Sequence, residues 1–422
     1  MKKLYENYVK ILEEELVPAF GCTEPIALAY AGALARKALG ALPTEVEIEV
    51  SGNILKNVKS VIVPNTGGLK GVVASVASGI IANNAEKKLQ VLSEITTEQV
   101  TQIANYLKTA TFTVKQANPT CIFFIDIKVK NEKSSAIVCI ENYHTNVTKL
   151  EKNGEELPFE KSEYLPEKLT DRSILNVKDI VSFADDVELD SVRNLLEKQI
   201  EYNTAISEEG LRNHYGANVG KILLDTFGKD VHNVAKASAS AGSDARMNGC
   251  SLPVVIVSGS GNQGLTASLP VIVYAKHLHV EKEKLLRALV LSNLITIHLK
   301  TGIGRLSAYC GAVSAGAGAG AGICYLYGGK YEWVAHTIVN ALAISSGIIC
   351  DGAKSSCAAK IASSVEAGIL GMEMYRNGSQ FYGGDGILLK GVENTIENVG
   401  NLARIGMQST DEEIIKMMIK NL

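Results

Sequence analysis

A run of small, uncharged residues most constrains how this chain can fold. Between Leu306 and Gly329 there is no charged residue, and residues 311–322 are almost entirely glycine and alanine. A run of roughly 20 residues is long enough to cross a membrane. However, glycine and alanine supply little transfer energy, and Arg305 and Lys330 close the two ends. Small residues also let helices pack closely or let backbone approach a ligand, so we expect a helix inside a soluble protein.

The remaining patterns predict two kinds of structure. Strict alternation over residues 45–50 is typical of a half-buried strand, and residues 111–114, 122–129 and 136–140 also have strand character. From residue 177 onward almost every segment has helical periodicity. We predict an α+β protein in which a mostly helical catalytic domain, residues 1–41 and 177–422, carries a smaller inserted α/β domain, residues 42–176. That insertion ends in a charged connector at about 151–167.

Charge and cysteine content limit the partners. The formal net charge of −3 over 422 residues lacks the basic excess of a nucleic-acid-binding protein. No apolar segment follows Lys2 and Lys3, so we expect no secretory signal and a cytoplasmic location. Eight cysteines are too sparse for a disulfide framework. We expect a small-molecule substrate and no membrane or nucleic-acid partner, and we leave a homo-oligomer open.

Three cysteines among small residues are candidates for metal binding. They are Cys310, Cys350 and Cys357, and a glycine between the last two allows a turn that brings their sulfurs together. Thiolates suit zinc and iron–sulfur clusters. There is no C-x-x-C pair, and a free cysteine also behaves as a small buried hydrophobe, so spacing alone leaves both interpretations open.

Cys22 lies just before an alanine-rich helix. Thr23 is the predicted N-cap of that helix, followed by Glu24 and Pro25 in the first turn. A thiol at a helix N-terminus can have a lowered pKa and act as a nucleophile or a general base. A structural cysteine at a helix start fits the local sequence equally well. The other four cysteines, at positions 121, 139, 250 and 324, are interpreted as structural.

Three polar loops containing glycine are candidates for binding a small zwitterion through side chains and free backbone amides. Their candidate residues are Ser51, Asn53, Asn65, Thr66, Gly67, Ser260, Asn262 and Gln263. The glycines at 259, 261 and 264 lack the surrounding pattern of a dinucleotide fold, which we exclude. The charged residues in segments 243–246 and 298–302 lie next to small residues and could line a cleft, although we slightly favour solvated helix ends for each.

Several of these motifs together resemble one enzyme family. Residues 21–25, the 258–264 loop, Cys310-Gly311 and the C-D-G-A-K-S-S-C element at 350–357 are similar to those of the L-cysteine desulfidases, which are related to the α chain of iron–sulfur L-serine dehydratases. The resemblance implies a helical fold with a smaller α/β part. It also implies a [4Fe-4S] cluster on Cys310, Cys350 and Cys357, and Cys22 as the base.

The activity implied by the resemblance is elimination of sulfide from L-cysteine to give pyruvate, ammonia and hydrogen sulfide, without pyridoxal phosphate. Two alternatives stay open. One is an L-serine dehydratase that uses the same cluster with hydroxide as the leaving group. The other is a membrane or structural metal-binding protein.

Overall fold

The computed structural model describes residues 2–117, 119, 121–159, 169–304 and 307–419, with the backbone alone at 20 and 419. The predicted α+β class is confirmed: the chain is mostly helical with a smaller mixed sheet. The helices are α1 Lys2–Glu15, α2 Thr23–Leu39, α3 Gly52–Val58, α4 Gly71–Ala82, α5 Thr97–Thr109, α6 Val177–Asp186, α7 Arg193–Arg212, α8 Val219–Phe227, α9 Val231–Met247, α10 Gly261–His277, α11 Lys282–Ile303, α12 Gly311–Leu326, α13 Tyr331–Ser345, α14 Cys357–Arg376, α15 Val392–Asn401 and α16 Gln408–Ile419. The strands are β1 Pro18–Phe20, β2 Glu45–Ser51, β3 Thr111–Ala117, β4 Phe124–Lys130, β5 Ser135–Glu141, β6 Val147–Lys152, β7 Glu155–Glu156 and β8 Pro253–Val255.

Six strands form one mixed sheet in the order β3-β2-β4-β5-β6-β7, in which only β2 and β3 run parallel. In β2, the apolar residues Val46, Ile48 and Val50 are buried while the glutamates between them are at least partly exposed. Side chains of successive strand residues point to opposite faces, so this alternation places one face of the sheet in a core. Helices α2 and α4 cover that face and share one apolar cluster with it.

The apolar side chains form two main clusters. One contains α2, α3, α4, α5 and the six-stranded sheet, and the other contains α1, β1 and most elements from residue 174 onward, but not α8 or α16. Helix α2, which we assigned to the helical domain, therefore packs in the core of the sheet-containing part. The division into domains stays a prediction, and this packing favours a first boundary near residue 21 in place of 41. Residues 160–168 of the predicted connector lie outside the described residues.

The run of small residues forms α12, which is buried from Ala312 to Leu326. A Cβ at Gly316 would lie 2.2 Å from the Ser364 carbonyl oxygen, and one at Gly320 would lie 2.4 Å from the Gly368 carbonyl oxygen. Because only glycine permits such contacts, α12 and α14 pack backbone against backbone. The second contact lies four residues further along both α12 and α14 than the first, so the two helices run parallel.

Leu306, the first residue of the uncharged run, and Arg305 before it lie outside the described residues. Within the described ranges, no helix is both long enough and apolar enough to traverse a bilayer.

Candidate active site

A cavity of about 450 Å³ lies between the sheet-containing part and the helical part. Its volume is within the usual range for small-molecule sites. Its walls combine five cysteines with buried charged and polar side chains. The lining residues are Cys22, Thr23, Glu24, Lys56, Asn57, Cys121, Ile122, Phe123, Asn142, Tyr143, His144, Arg246, Ser258, Gly259, Ser260, Asn262, Gln263, Lys300, Ser307, Tyr309, Cys310, Gly311, Ala312, Cys350, Gly352, Ala353, Cys357 and Ile361.

Backbone pairing holds Cys310 next to Cys350. The Cys310 amide donates to the Ile348 carbonyl at 3.0 Å, and the Cys350 amide donates to the Ala308 carbonyl at 2.6 Å. Tyr309 lies opposite Ile349 in an isolated antiparallel bridge between these two bonds. Two cysteines that are far apart in the sequence are therefore brought together by a short two-stranded ladder.

Helix packing brings Cys357 to the same place. Cys310 is the N-cap of α12 and Cys357 is the first residue of α14. The parallel register set by Gly316 and Ser364, carried back along both helices, places these two cysteines side by side. The close packing that the small residues of α12 allow is thus what joins the third thiol to the other two.

The thiols at this end of the cavity influence one another electrostatically. Burial raises the pKa of Cys310 to about 12, with the neighbouring Cys350 and Cys357 sulfurs acting in the same direction and the Lys360 ammonium acting against them. Burial likewise raises the pKa of Cys357, which Cys350 raises further and the ammonium groups of Lys354 and Lys360 lower. Without a bound cation, Cys310 and Cys357 therefore stay protonated near neutral pH, because ionising buried thiols close together is unfavourable.

The arrangement of Cys310, Cys350 and Cys357 indicates which kind of metal group these three thiols could hold. Within the residues described, no three or more histidine, cysteine, aspartate or glutamate side chains are grouped to hold one metal ion. In a [4Fe-4S] cluster each cysteine binds a different iron, so the thiols surround a cage and need not meet at one point. Three thiols on separate backbone segments that face one cavity are compatible with such a cluster and not with a mononuclear site.

Four long helices begin at this cavity. Cys22, Ser260 and Cys310 are the N-caps of α2, α10 and α12, and Cys357 opens α14. A helix N-terminus carries unpaired amide donors and a partial positive charge. Together these four ends make the cavity favourable for anions, including carboxylates and thiolates.

Within the same cavity, Cys22 forms a hydrogen-bonded pair with Glu24. The Cys22 thiol and the Thr23 hydroxyl both donate to Glu24 Oε2 at 3.1 Å, and the Asn57 amide donates to Glu24 Oε1 at 3.0 Å. Burial works to raise the pKa of Glu24, but the charge of His144, the Cys22 hydrogen bond and the charge of Arg246 outweigh it and lower that pKa. Glu24 is therefore an ionised carboxylate that can accept the thiol proton.

The expected thiolate at Cys22 is not what this environment favours. Burial, and then the Glu24 carboxylate, raise the pKa of Cys22 well above its usual range, although Arg246 acts in the opposite direction. The helix N-terminus is present, but burial and a neighbouring negative charge outweigh it. Cys22 rather than the predicted Thr23 is the N-cap of α2.

Arg246 is buried at the cavity wall without a carboxylate at ion-pair distance among the described residues. Its side chain is 3% exposed, Nη1 donates to Asn262 Oδ1 at 3.2 Å, and Nε has no hydrogen-bond partner there. Gln263, which is 4% exposed, has an equally unpartnered Oε1. A buried guanidinium with free donors is costly unless an anion completes it, so Arg246 is suited to a carboxylate. The Gln263 oxygen is an acceptor and is suited to a donor such as an ammonium group.

The structure brings three of the eight predicted loop residues to the cavity, namely Ser260, Asn262 and Gln263. The other five, Ser51, Asn53, Asn65, Thr66 and Gly67, do not line it. Three of these use their side chains within the fold: Ser51 donates to the Ile122 carbonyl at 2.7 Å, Asn65 to Leu92 at 2.9 Å and Thr66 to Val63 at 2.7 Å. Polar residues in a loop often bond to nearby backbone, as these three do. A role of the five residues in binding substrate stays a prediction.

Several cavity residues were not predicted. Arg246 and Lys300, interpreted as solvated, are 3% and 5% exposed and line the cavity. Glu24 was noted only as a first-turn residue, and Cys121, interpreted as structural, also lines the cavity and donates to the Phe123 carbonyl at 3.3 Å. The sequence feature that indicated burial of Arg246 was its position beside small residues, which allow close packing. The cysteines at 139, 250 and 324 are buried and do not line the cavity.

Comparison with known proteins gives consistent similarities over the whole chain. A family model described as serine dehydratase alpha chain matches residues 86–416. A UPF0597 protein of Desulfitobacterium hafniense is 57% identical over 99% of this chain and 97% of its own length. UPF0597 proteins of Lachnoclostridium phytofermentans and Treponema denticola are 52% and 49% identical, covering 99% and 100% of this chain and 100% and 99% of their own lengths. The family match contains Cys310, Cys350 and Cys357, while Cys22 precedes it.

Proposed function

The chain belongs to the serine dehydratase alpha chain family, and from that premise we propose that it is an iron–sulfur-dependent lyase that eliminates sulfide from L-cysteine. The observation that carries the proposal is the arrangement of four cysteines around one cavity. Cys310, Cys350 and Cys357 line this cavity together with Cys22, whose thiol donates to the Glu24 carboxylate. The products are pyruvate, ammonia and hydrogen sulfide.

Cys310, Cys350 and Cys357 would hold a [4Fe-4S] cluster. Bound by three thiolates, such a cluster keeps one iron without a protein ligand, and that iron supplies a Lewis acid for the leaving group on Cβ. The N-termini of α12 and α14 and the ammonium of Lys360 stabilise the negative charge of the thiolates. The protein supports a cluster through charge as well as through its ligands.

The carboxylate of the amino acid would bind the Arg246 guanidinium and the backbone amides at the start of α10, and the unpartnered Gln263 Oε1 would accept from the substrate ammonium. The unpartnered Arg246 Nε and the open backbone amides of α10 provide donors, and Asn262 holds the guanidinium in place. Two or more donors on one carboxylate fix the orientation of the substrate as well as its affinity. The α-carbon would then face the wall that carries Cys22.

Cys22 and Glu24 would remove the α-proton as a pair. Glu24 accepts the thiol proton along the 3.1 Å hydrogen bond, and the resulting Cys22 thiolate takes the proton from Cα. The Cα electrons form the double bond to Cβ as the sulfide leaves, and the aminoacrylate then tautomerises and hydrolyses. The resting pKa shifts of Cys22 and Glu24 oppose this transfer, so the proposed step requires positive charge from the bound substrate ammonium to stabilise the thiolate.

The substrate is tested by comparing L-cysteine with L-serine on anaerobically prepared protein. Sulfide and pyruvate released in equal amounts from L-cysteine, with a higher kcat/KM than pyruvate release from L-serine, support the proposal. The description of the matching family favours serine as the second candidate, and a higher kcat/KM for serine would assign that activity. Lack of turnover of both substrates by protein that carries a full cluster would refute the lyase. The cytoplasmic location and a homo-oligomer stay predictions.

A further inference from the structure

The loop that carries Cys350 is held by two lysines from the α14 side. Lys360 Nζ donates to the Ile349 carbonyl at 2.8 Å and also pairs with the Asp351 carboxylate. Lys354 Nζ donates to the Asp351 carbonyl at 2.8 Å and lies 2.6 Å from Asp351 Oδ1. The side chains of Asp351, Lys354 and Lys360 are 34%, 26% and 22% exposed, so this ion-pair network is largely shielded from water.

Lys360 connects two of the proposed ligands. It lies one helical turn after Cys357 on α14, and its ammonium reaches the backbone immediately before Cys350. The short ladder described above joins Cys350 to Cys310. Lys360 is therefore placed to fix the distance between the Cys350 loop and α14, and with it the spacing of the three thiols.

The network also has the charge that this position requires. Two ammonium groups and one carboxylate leave one net positive charge beside three thiols that must be ionised to bind iron. Asp351 alone would oppose those thiolates, so its role is to orient the lysines. Partners outside the ligand shell commonly orient ligands and tune the metal in this way.

We propose that Lys360 is a positioning residue for the cluster: it holds the Cys350 loop against α14 and supplies the positive charge that stabilises the bound thiolates. This inference rests on the proposed function. It concerns retention of the cluster and is independent of which amino acid is the substrate.

The test compares Lys360→Met, Lys360→Arg and the wild-type protein after anaerobic reconstitution. Iron and acid-labile sulfide are measured per chain, and the rate of iron loss to an added chelator is then followed by absorbance. Removal of an outer-shell partner commonly costs about 10- to 100-fold in metal affinity, so Lys360→Met should lose iron at least about tenfold faster. Lys360→Arg keeps the charge and should stay within about threefold of wild type.

Lys236→Met is the matched control. Lys236 also contacts α14, where its Nζ lies 2.6 Å from Glu366 Oε2, but it does not line the cavity. It should lose iron at the wild-type rate. Thermal unfolding of the apo proteins shows whether Lys360→Met is folded, and Lys354→Met, with the same expected direction, replaces it if it is not.

Several results would overturn the inference. Iron loss from Lys360→Met at the wild-type rate would show that the lysine does not support the cluster. Equally fast iron loss from Lys360→Arg and Lys360→Met would exclude a role for the charge. Fast iron loss from Lys236→Met would show that breaking any ion pair on α14 is sufficient to release the cluster. Failure of the wild-type protein to take up iron is a different outcome, because it contradicts the proposed function itself.

Discussion

Replacing Arg246 by methionine tests the proposed substrate carboxylate site. Methionine fills much of the same volume but has no donors, so the substitution removes the guanidinium that Asn262 holds at the cavity wall. Because the carboxylate takes no part in bond breaking, its contacts stabilise bound substrate and transition state alike. The expected change is a rise in KM that exceeds the fall in kcat, because Arg246 also lowers the pKa of Cys22 and of Glu24.

The size of the expected fall in kcat/KM follows from the hydrogen bonds that Arg246 can no longer donate to the substrate carboxylate. A hydrogen bond to a charged group contributes about 1.5–3 kcal/mol, and about 1.4 kcal/mol is a factor of ten in rate. One such interaction through the unpartnered Nε of Arg246 therefore predicts a fall in kcat/KM of about 10- to 150-fold. Because no carboxylate in the described part of the chain forms an ion pair with this guanidinium, its loss should leave the unfolding temperature within about 3 °C of wild type.

The assay measures initial rates of pyruvate formation over a range of L-cysteine concentrations, with iron content determined for each preparation. Gly261→Ala examines the same contact from the other side, because its Cβ would lie 2.3 Å from Arg246 Nε and the guanidinium would have to move. It should raise KM by a smaller factor. Arg376→Met, which changes an arginine whose side chain is 46% exposed, should have no effect. An unchanged KM in Arg246→Met, or a loss confined to kcat, would refute the carboxylate assignment.

Three other predictions concern the base, the pH dependence of stability and the Cys350 loop. Cys22→Ser should keep its iron and lose at least about 100-fold in kcat, because a serine hydroxyl ionises far less readily than a thiol; a near-normal rate would exclude Cys22 as the base. Burial raises the pKa of Asp244 to about 6 from an ordinary value near 4, so the folded protein binds this proton more tightly than the unfolded chain, and Asp244 contributes stability that is lost as pH rises from about 4 through 6. In urea unfolding at pH 4.5 and 7, the free energy of unfolding of Asp244→Asn minus that of wild type should therefore increase between the two pH values; an unchanged difference would contradict it. Gly352→Ala should lower the free energy of unfolding by about 1–3 kcal/mol, because Gly352 has a φ of +94° and its new Cβ would lie 2.0 Å from the Lys56 carbonyl oxygen; unchanged denaturant unfolding would show that the loop adjusts without strain.

The parts of the fold that sequence patterns predicted are those with a strong local cause. Alternation in β2 indicated a half-buried strand, and the run of glycine and alanine indicated a closely packed interior helix. Both follow from which side chains can be buried at a given spacing. The packing of α2 against the sheet was not predicted, because an alanine-rich helix is apolar on most faces and its sequence does not specify its partner.

The three proposed cluster ligands were selected from their residue type and from a family resemblance. Their meeting at one cavity depends on the parallel packing of α12 with α14 and on the bridge between Tyr309 and Ile349. Neither contact can be obtained from spacing along the chain. The sequence therefore indicated which residues to consider, and tertiary packing brings them together.

The electrostatics of the cavity could not be predicted from local sequence. The dipole of α2 argued for a thiolate at Cys22, but burial and the Glu24 carboxylate act more strongly in the opposite direction. Arg246 was interpreted as solvated because a charge at a helix end usually is. Burial determines both the pKa of Cys22 and the environment of Arg246. That burial depends on how the sheet-containing part packs against the helical part.

The most direct test of the account is the iron and acid-labile sulfide content of anaerobically purified protein with single cysteines replaced. Wild-type protein and Cys324→Ala, which changes a buried cysteine away from the cavity, should each hold about four irons and four sulfides per chain. Cys310→Ala, Cys350→Ala and Cys357→Ala should each lose most of both. A full complement of iron and sulfide in any of these three variants would contradict the proposed ligand set.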